Sequence, residues 1–498
     1  MANWIDKAIG FISPEAAYKR NAFRMALQEQ EGYIRRLSNY DGAGYDRINS
    51  NWHASNEPAE WIDRGSRDVL RARARDLERN SDIMNSIISS FKRNVYGAGY
   101  RLRSLTGDEA LNVEIEHYWE IWCKKQNCDV TGTQSFNEMM RMAVARKKVD
   151  GGILILKCYT SGGIVPFKLQ MIEVDDLDDT LSNHNGNKVV AGIEYNKYNK
   201  PIGFHLRQYS IDGYSLEEPR FVEAKDVIYY FAKKRPTQVR EVSDMAPTLT
   251  RVRDINEFVH TLSVKERILA CLSVFVQREV PPTTGRVFSG ENEREYQGKT
   301  LTPGMIQYLS PGDKAYTVQP SGQAVDAASH IQQQLRFLGS GQGLSYEMTS
   351  RDMSKSTYSS ARQGSIEDDL TYEEERQQLM EVMDEIFETF VISLWLSKKI
   401  NKCDFWENKE KYFSHSWIHA PKRWIDPQKE ARANAIALKT GQKTWSDMAA
   451  ENGKDWREQI DEIKSIIDYA DEKGIDLRNV ILGTNVNIND GGNTEDES

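Results

Sequence analysis

Residues 246–276 and 324–338 each carry one narrow apolar stripe, and those two stripes restrict the possible folds of this chain more than any other feature. In the first, Leu249, Val252, Ile255, Val259, Leu262, Leu269 and Leu272 recur about every 3.5 residues, behind Pro247, which the first helical turn tolerates. The other face carries Arg251, Arg253, Asp254, Glu257, Lys265, Glu266 and Arg267. At 1.5 Å per residue such a helix runs roughly 45 Å, longer than an ordinary domain needs. A slender rod with one stripe requires neighbours, and further copies of the same chain can supply them. Pro281 and Pro282 end the rod, and residues 283–317 form a small excursion of short strand-like pieces around the charged run ENEREYQGK. The chain returns through Ala327, Ile331, Leu335 and Leu338 at helical spacing. The run GSGQG at residues 339–343 is expected to stop that helix, and the polar residues 345–356 to form a loop. The longest helical pattern follows at residues 357–398, above about 60 Å, with Leu379, Met383, Ile386, Phe390 and Leu394 as its stripe and Gly364 as its weak point.

Upstream, helical patterns cover residues 15–30 and 63–94. In the second, Val69, Leu70, Leu77, Ile83, Ile87, Ile88 and Phe91 form the apolar face. Arg71, Arg73, Arg75 and Arg79 alternate there with Asp68, Asp76, Glu78 and Asp82, which predicts a solvated, salt-bridged surface rather than a nucleic-acid site. Gly97 and Gly99 break the pattern before a strand, and helices are predicted at 108–125 and 135–149. Short strands follow at 153–159, 167–177, 189–196, 202–209 and 226–232, separated by turn clusters. Residues up to about 240 therefore read as an α+β unit, helices first and an antiparallel sheet second. Beyond an aromatic segment at 405–424, helices are predicted at 427–441, 444–452 and 456–473, with Ser446 and Asp447 as an N-cap signal. Trp4, Ile5, Ala8, Ile9 and Ile12 predict a docking helix at the start, and the polar tail from Gly483 is expected to be disordered.

Among 498 residues, Lys and Arg number 65 against 74 Asp and Glu, a net charge of −9 that opposes tight, non-specific capture of nucleic acid. No apolar run approaches the roughly 20 residues that span a bilayer. Five scattered cysteines, Cys123, Cys128, Cys158, Cys271 and Cys403, predict buried thiols without disulfides. His415 and His419 lack the intervening Glu of a zinc-protease helix. Asp175, Asp176, Asp178 and Asp179 could hold Mg²⁺, but carboxylates in a turn after a strand are usually just solvated. GSGQG lacks both the Lys-Ser/Thr ending of a phosphate loop and the central Ser of a nucleophile elbow. No catalytic residue, metal site or cofactor is predicted.

The order of segments resembles the lambda-type family of tailed-bacteriophage portal proteins over roughly residues 3–473. The resemblance is carried by NWIDKAIGFISPEAAYKR (3–20), LRARARDLERNSDIMNSIISSFKRNVYGAGYRLR (70–103), DGGILILKCY (150–159), FKLQMIEVDDL (167–177), GIEYNKYNKPIGFHL (192–206) and AKDVIYYF (224–231). It continues through RPTQVREVSDMAPTL (235–249), LTPGMIQYLSPGDKAYTVQP (301–320), GLSYEMTSRDMSKSTYSSARQG (343–364) and WIDPQKEARANAIALKTGQKTWSDMAAENGKDWREQIDE (424–462). Where the family tends to place a Gly after the Gln of its RxxQxRG-type run, this chain reads Arg235, Gln238, Val239, Arg240, Glu241, a departure expected to affect only the local turn.

The resemblance implies an α+β, mainly helical portal-type fold with wing, stem, clip and crown parts. It implies a dodecameric ring at one capsid vertex of the virion, assembled in the host bacterial cytoplasm, with a channel for packaging and ejecting double-stranded DNA. The parts would fall as wing 1–243, first stem helix 244–276, clip 277–323, second stem helix 324–340, tunnel loop 341–356, long helix and wing return 357–425, crown 426–480 and tail 481–498. Implied partners are sister subunits, weakly held DNA, the terminase large subunit, head-completion or adaptor proteins and the major capsid protein, with no membrane. Position places Glu347, Arg351, Asp352, Lys355 and Ser356 on the DNA-facing loop, and Arg286, Glu291, Glu293, Arg294 and Glu295 on the clip's docking surface. Arg351 and Lys355 either face DNA as weak rings or pair with Glu347 and Asp352 of the next subunit. Two rival classes are a metal-dependent nuclease using Asp175 and Asp176, and a monomeric minor head protein.

Overall fold

The computed structural model describes residues 54–270, 274–278, 313–317, 324–419 and 427–475, apart from Ile211 and Lys355, together with residues 51 and 477 and a few between 15 and 27. The clip positions 286 and 291–295, the docking helix, Cys271 and the tail lie outside the described residues. The chain divides into two units, Met1–Ile62 and Asp63–Ser498. In the first, residues 22–27 are helical.

The second unit opens with α1 (Arg67–Asn80) and α2 (Asp82–Phe91). The sequence reads as one helix here, but Ser81 adopts extended dihedrals and its hydroxyl accepts from the Met84 N–H, closing one helix and capping the next. Leu77, Ile87, Ile88 and Phe91 are buried as expected, whereas Val69 faces solvent. A π-turn at Lys92–Tyr96 leads to β1 (Tyr100–Ser104). Next come α3 (Glu109–Trp122), capped by Asp108, and α4 (Phe136–Asp150), whose Ser135 and Glu138 form a reciprocal capping box. Trp119 and Trp122 of α3 anchor the core: the Trp122 indole stacks on Phe167, 5.4 Å between centroids, and donates to the Phe167 carbonyl at 2.8 Å.

Two antiparallel sheets follow, as the alternating segments predict. In the first, β2 (Gly152–Tyr159) lies between β3 (Phe167–Ile172) and β9 (Val227–Phe231). The run Gly152 to Leu156 is buried throughout, because both faces of this central strand are covered. The second is a meander of β4 (Asn183–His184), β5 (Asn187–Val190), β6 (Ile193–Tyr195), β7 (Pro201–Leu206) and β8 (Arg220–Glu223).

Helix α5 (Leu249–Ala270) is shorter than expected: residues 274–278 form β10 (Val274–Arg278), paired with β11 (Asp313–Thr317). The β-branched and aromatic run Val274, Phe275, Val276 favours a strand once a partner exists. Helix α6 (Ala324–Gln342) is longer than expected and continues through the glycine run. Gly339 packs against the Leu344 carbonyl, where a Cβ would sit 2.5 Å away, so glycine here permits close approach instead of breaking the helix. The segment expected to be a loop contains a single-turn helix, α7 (Tyr346–Ser350). Helix α8 (Tyr358–Leu396) starts at its Thr357 cap, and Leu379, Met383, Ile386, Phe390 and Leu394 are all fully buried. β12 (His415–His419) then returns to pair with β1. Helices α9 (Pro427–Lys439), α10 (Trp445–Glu451) and α11 (Trp456–Glu472) complete the described chain. The cap of α10 is Thr444, with Asp447 completing its capping box, rather than Ser446.

Candidate functional site

The turn between α6 and α8 is held by a network of polar contacts. Gly343 adopts φ +68°, and its carbonyl accepts from the Thr371 hydroxyl at 2.7 Å. Ser345 caps α7 by accepting from the Met348 N–H, and donates its own N–H and hydroxyl to Asp368 of α8. Burial pushes the Asp368 carboxyl up, against the opposing pull of the Ser345 hydrogen bonds. One end of the segment is thereby pinned to the long helix.

The residues expected on the tunnel loop lie in the same segment. Arg351 closes α7 in the left-handed region at φ +59°, with its N–H donating to the Glu347 carbonyl at 2.9 Å. Its exposed guanidinium donates from Nε to Ser86 Oγ at 3.1 Å. Glu347 accepts from the Ser356 hydroxyl at 2.8 Å, drawing the two ends of the loop together. Asp352 accepts from the Ser354 N–H at 3.0 Å, a local Asx-type turn. The structure thus brings Glu347, Arg351, Asp352 and Ser356 into one loop, while Lys355 lies outside the described residues.

Beneath the loop a buried charge cluster ties three elements. Lys147 and Lys148 of α4 both reach Glu375 of α8, Lys148 at 2.6 Å, and both approach Asp244 in the segment leading to α5. Burial opposes ionisation of Asp244, but Lys148, Lys147 and Lys234 outweigh it and hold the carboxyl below its ordinary range.

Helices α5 and α6 pack at their ends nearest this cluster. Leu249, Val252 and Ile255 are buried there, Arg251 donates to Gln334 at 3.1 Å, and Phe258 meets His330 edge-on. A cavity of about 310 Å³ between the two is lined by Pro247, Arg251, Asp254, Phe258, His330 and Ile331, among others. Beyond Ile255 the cover thins among the described residues: the stripe residue Val259 is 41% exposed and Phe258 beside it 37%, while Leu262 is half-buried.

The acidic run behaves differently from the rival expectation. Asp175 is engaged by Arg71 at 2.9 Å and Arg75 at 2.6 Å, and Asp178 accepts from Thr180. Among the described residues these carboxylates form no metal-ligating group. Arg73 and Arg79 lie on a solvated face as expected, but Arg71 and Arg75 correct that reading: Arg71 is only 4% exposed and pairs with the fully buried Glu241 at 2.9 Å, while Arg75 meets Asp150 at 2.7 Å. Arg240 also pairs with Glu241, at 2.9 Å, and donates to the Val174 carbonyl. The departure at Arg240 and Glu241, expected to touch only a turn, therefore lies at the centre of a buried network.

His415 and His419 lie on strand β12, not on one helical face, and His415 hydrogen-bonds to Asp384 at 3.0 Å. Cys123, Cys128, Cys158 and Cys403 are free thiols, and no helix among the described residues is long and apolar enough to cross a membrane.

Comparison with known proteins places these features in a family. Residues 45–376 match the family model described as phage portal protein, lambda family. The chain is 24% identical over 440 residues to the probable portal protein of Halomonas phage phiHAP-1, covering 82% of each. It is 21% identical over 489 residues to portal protein B of Escherichia phage lambda, covering 87% of this chain and 89% of that one. Among solved structures, a chain from the virion of a native gene transfer agent particle aligns with a TM-score of 0.46 at 11% identity, covering 82% of this chain and 98% of that one. The family is structural rather than enzymatic, and this chain, matched along two-thirds of its length, belongs to the lambda family of phage portal proteins.

Proposed function

We propose that the chain acts as a ring of identical copies, twelve in the family's expectation, at one vertex of a phage capsid. The ring is the opening through which double-stranded DNA is packaged and ejected, and the platform on which the terminase large subunit and later the head-completion proteins dock. The major capsid protein surrounds it in the virion, and assembly takes place in the host cytoplasm. The observation that supports this reading is the incomplete cover of α5 among the described residues, with the stripe buried through Ile255 and open at Val259, next to the exposed Phe258. Apolar surface left open midway along a long helix is satisfied when sister helices pack side by side around an axis. The expected division into wing 1–243, stem 244–276 and 324–340, clip 277–323, tunnel loop 341–356 and crown 426–480 follows from the same reading. Arg286, Glu291, Glu293, Arg294 and Glu295 are then the polar docking surface for partners that must exchange.

Electron microscopy and sedimentation of the purified chain test it. The wild type is expected as rings of several hundred kilodaltons with a central hole. Val259→Asp, which places a charge on the uncovered stripe without entering the core of its own chain, is expected to shift most of the mass to single subunits. A wild type that is solitary at every concentration overturns the proposal.

A further inference from the structure

The five-stranded sheet carries a cluster that the function above does not use. Glu194 of β6 lies opposite Gly203 of β7, His205 lies two residues further along β7, and His184 pairs with Asn187 across the β4–β5 turn. This register puts the three side chains on one face, while Ile193, Phe204 and Leu206 pack into the apolar cluster on the other. Glu194 Oε2 lies 2.8 Å from His184 Nδ1 and 3.0 Å from His205 Nε2, and Asn187 donates to the second carboxylate oxygen at 2.7 Å. One ligand atom from each of the three residues falls within 4.8 Å of the others.

The cluster is largely enclosed by its own sheet. Glu194 is 2% and His205 4% exposed, whereas His184 keeps a face toward solvent. Phe221 covers both imidazoles, with centroids 5.1 Å from His205 and 5.6 Å from His184. Gly203 makes room for that ring, since a Cβ there would lie 2.2 Å from it. Among the described residues the ion-pair contacts of Glu194 are these two histidines, and an imidazole, unlike a guanidinium, is no permanent cation. A buried carboxylate so placed gains from a cation it can ligate.

We propose that His184, Glu194 and His205 bind one Zn²⁺ ion, with the fourth position open to water on the exposed side of His184. Two imidazole nitrogens and a carboxylate oxygen suit this borderline-soft ion. Tetrahedral bonds of about 2.0–2.1 Å place ligand atoms about 3.3 Å apart, and the two histidine–carboxylate separations of 2.8 and 3.0 Å already lie near that spacing. The ion acts as a staple across β4, β6 and β7, joining the short outer hairpin to the strands that face the core.

The test is equilibrium dialysis of the purified full-length ring against Zn²⁺, with metal analysis per subunit, and Co²⁺ as a spectroscopic probe. One ion per subunit is expected, with Co²⁺ absorption typical of nitrogen and oxygen ligation. His184→Ala is expected to weaken Zn²⁺ binding by at least about 100-fold, and its half-exposed position lets the sheet fold without it. His184→Gln, which keeps a polar side chain but not the imidazole, is expected to lose the ion equally. No stoichiometric Zn²⁺ on the wild type, or equal retention by wild type and both variants, overturns the proposal.

Discussion

Burial pushes the Asp176 carboxyl up to about 6 from its ordinary 3.8, helped by the neighbouring Glu173 and Asp175 and opposed by Gln208 and Arg75. Between those two values the folded chain retains a proton that the unfolded chain has released, so this group lowers stability progressively as pH rises through the window. Asp176→Asn removes the penalty. Its melting temperature is expected to match the wild type at about pH 4 and to exceed it at about pH 8, as thermal unfolding across that range would show. The same neighbourhood shows where residue-level reading stops. The spacing of Arg71 and Arg75 among acids was readable as ion pairing, but their partners Glu241, Asp150 and Asp175 are remote in sequence, so the burial of the network was not.

At the scale of elements, the turn between α6 and α8 depends on Gly343. Its φ of +68° disfavours most other residues, and an added Cβ would lie 2.8 Å from Thr371 Oγ1. Gly343→Ala is expected to cost about 1–2 kcal/mol, read as a lowered denaturant midpoint, and to loosen the hydrogen bond from Thr371 that pins the loop. The long helices were legible because their stripes repeat over many turns; all five expected stripe residues of α8 are buried. Their ends were less so. Glycines at 339 and 341 resemble a stop signal locally but serve close packing against neighbouring segments, and residues 274–276 change to strand because residues 313–317 pair with them.

For the whole molecule, electrostatics must permit contact with DNA without capture. A net charge of −9 per chain, repeated around a ring, repels the duplex, and Arg351 and Lys355 are offset by Glu347 and Asp352 in the same loop. A channel lined by many strong phosphate contacts would hold DNA with steep salt dependence. Reversing both charges, Arg351→Glu with Lys355→Glu, is expected to leave ring assembly intact while lowering packaging efficiency and retention of packaged DNA. Unchanged packaging and retention would show instead that these side chains serve only to pair with carboxylates of the adjacent subunit.

Periodicity, turn chemistry and charge balance are local properties, and they sufficed to lay out most of the helices and the antiparallel strands, including helical stretches at 249–270 and 324–342 ahead of the longest helix. Tertiary structure alone decided which charges are buried and that His184, Glu194 and His205 converge. Those outcomes depend on strand register and on contacts between segments 10 to more than 200 residues apart, as in the pairing of Lys147 with Glu375. No window of sequence carries such information, because the energy of a buried charge is set by the partner that arrives from elsewhere in the chain.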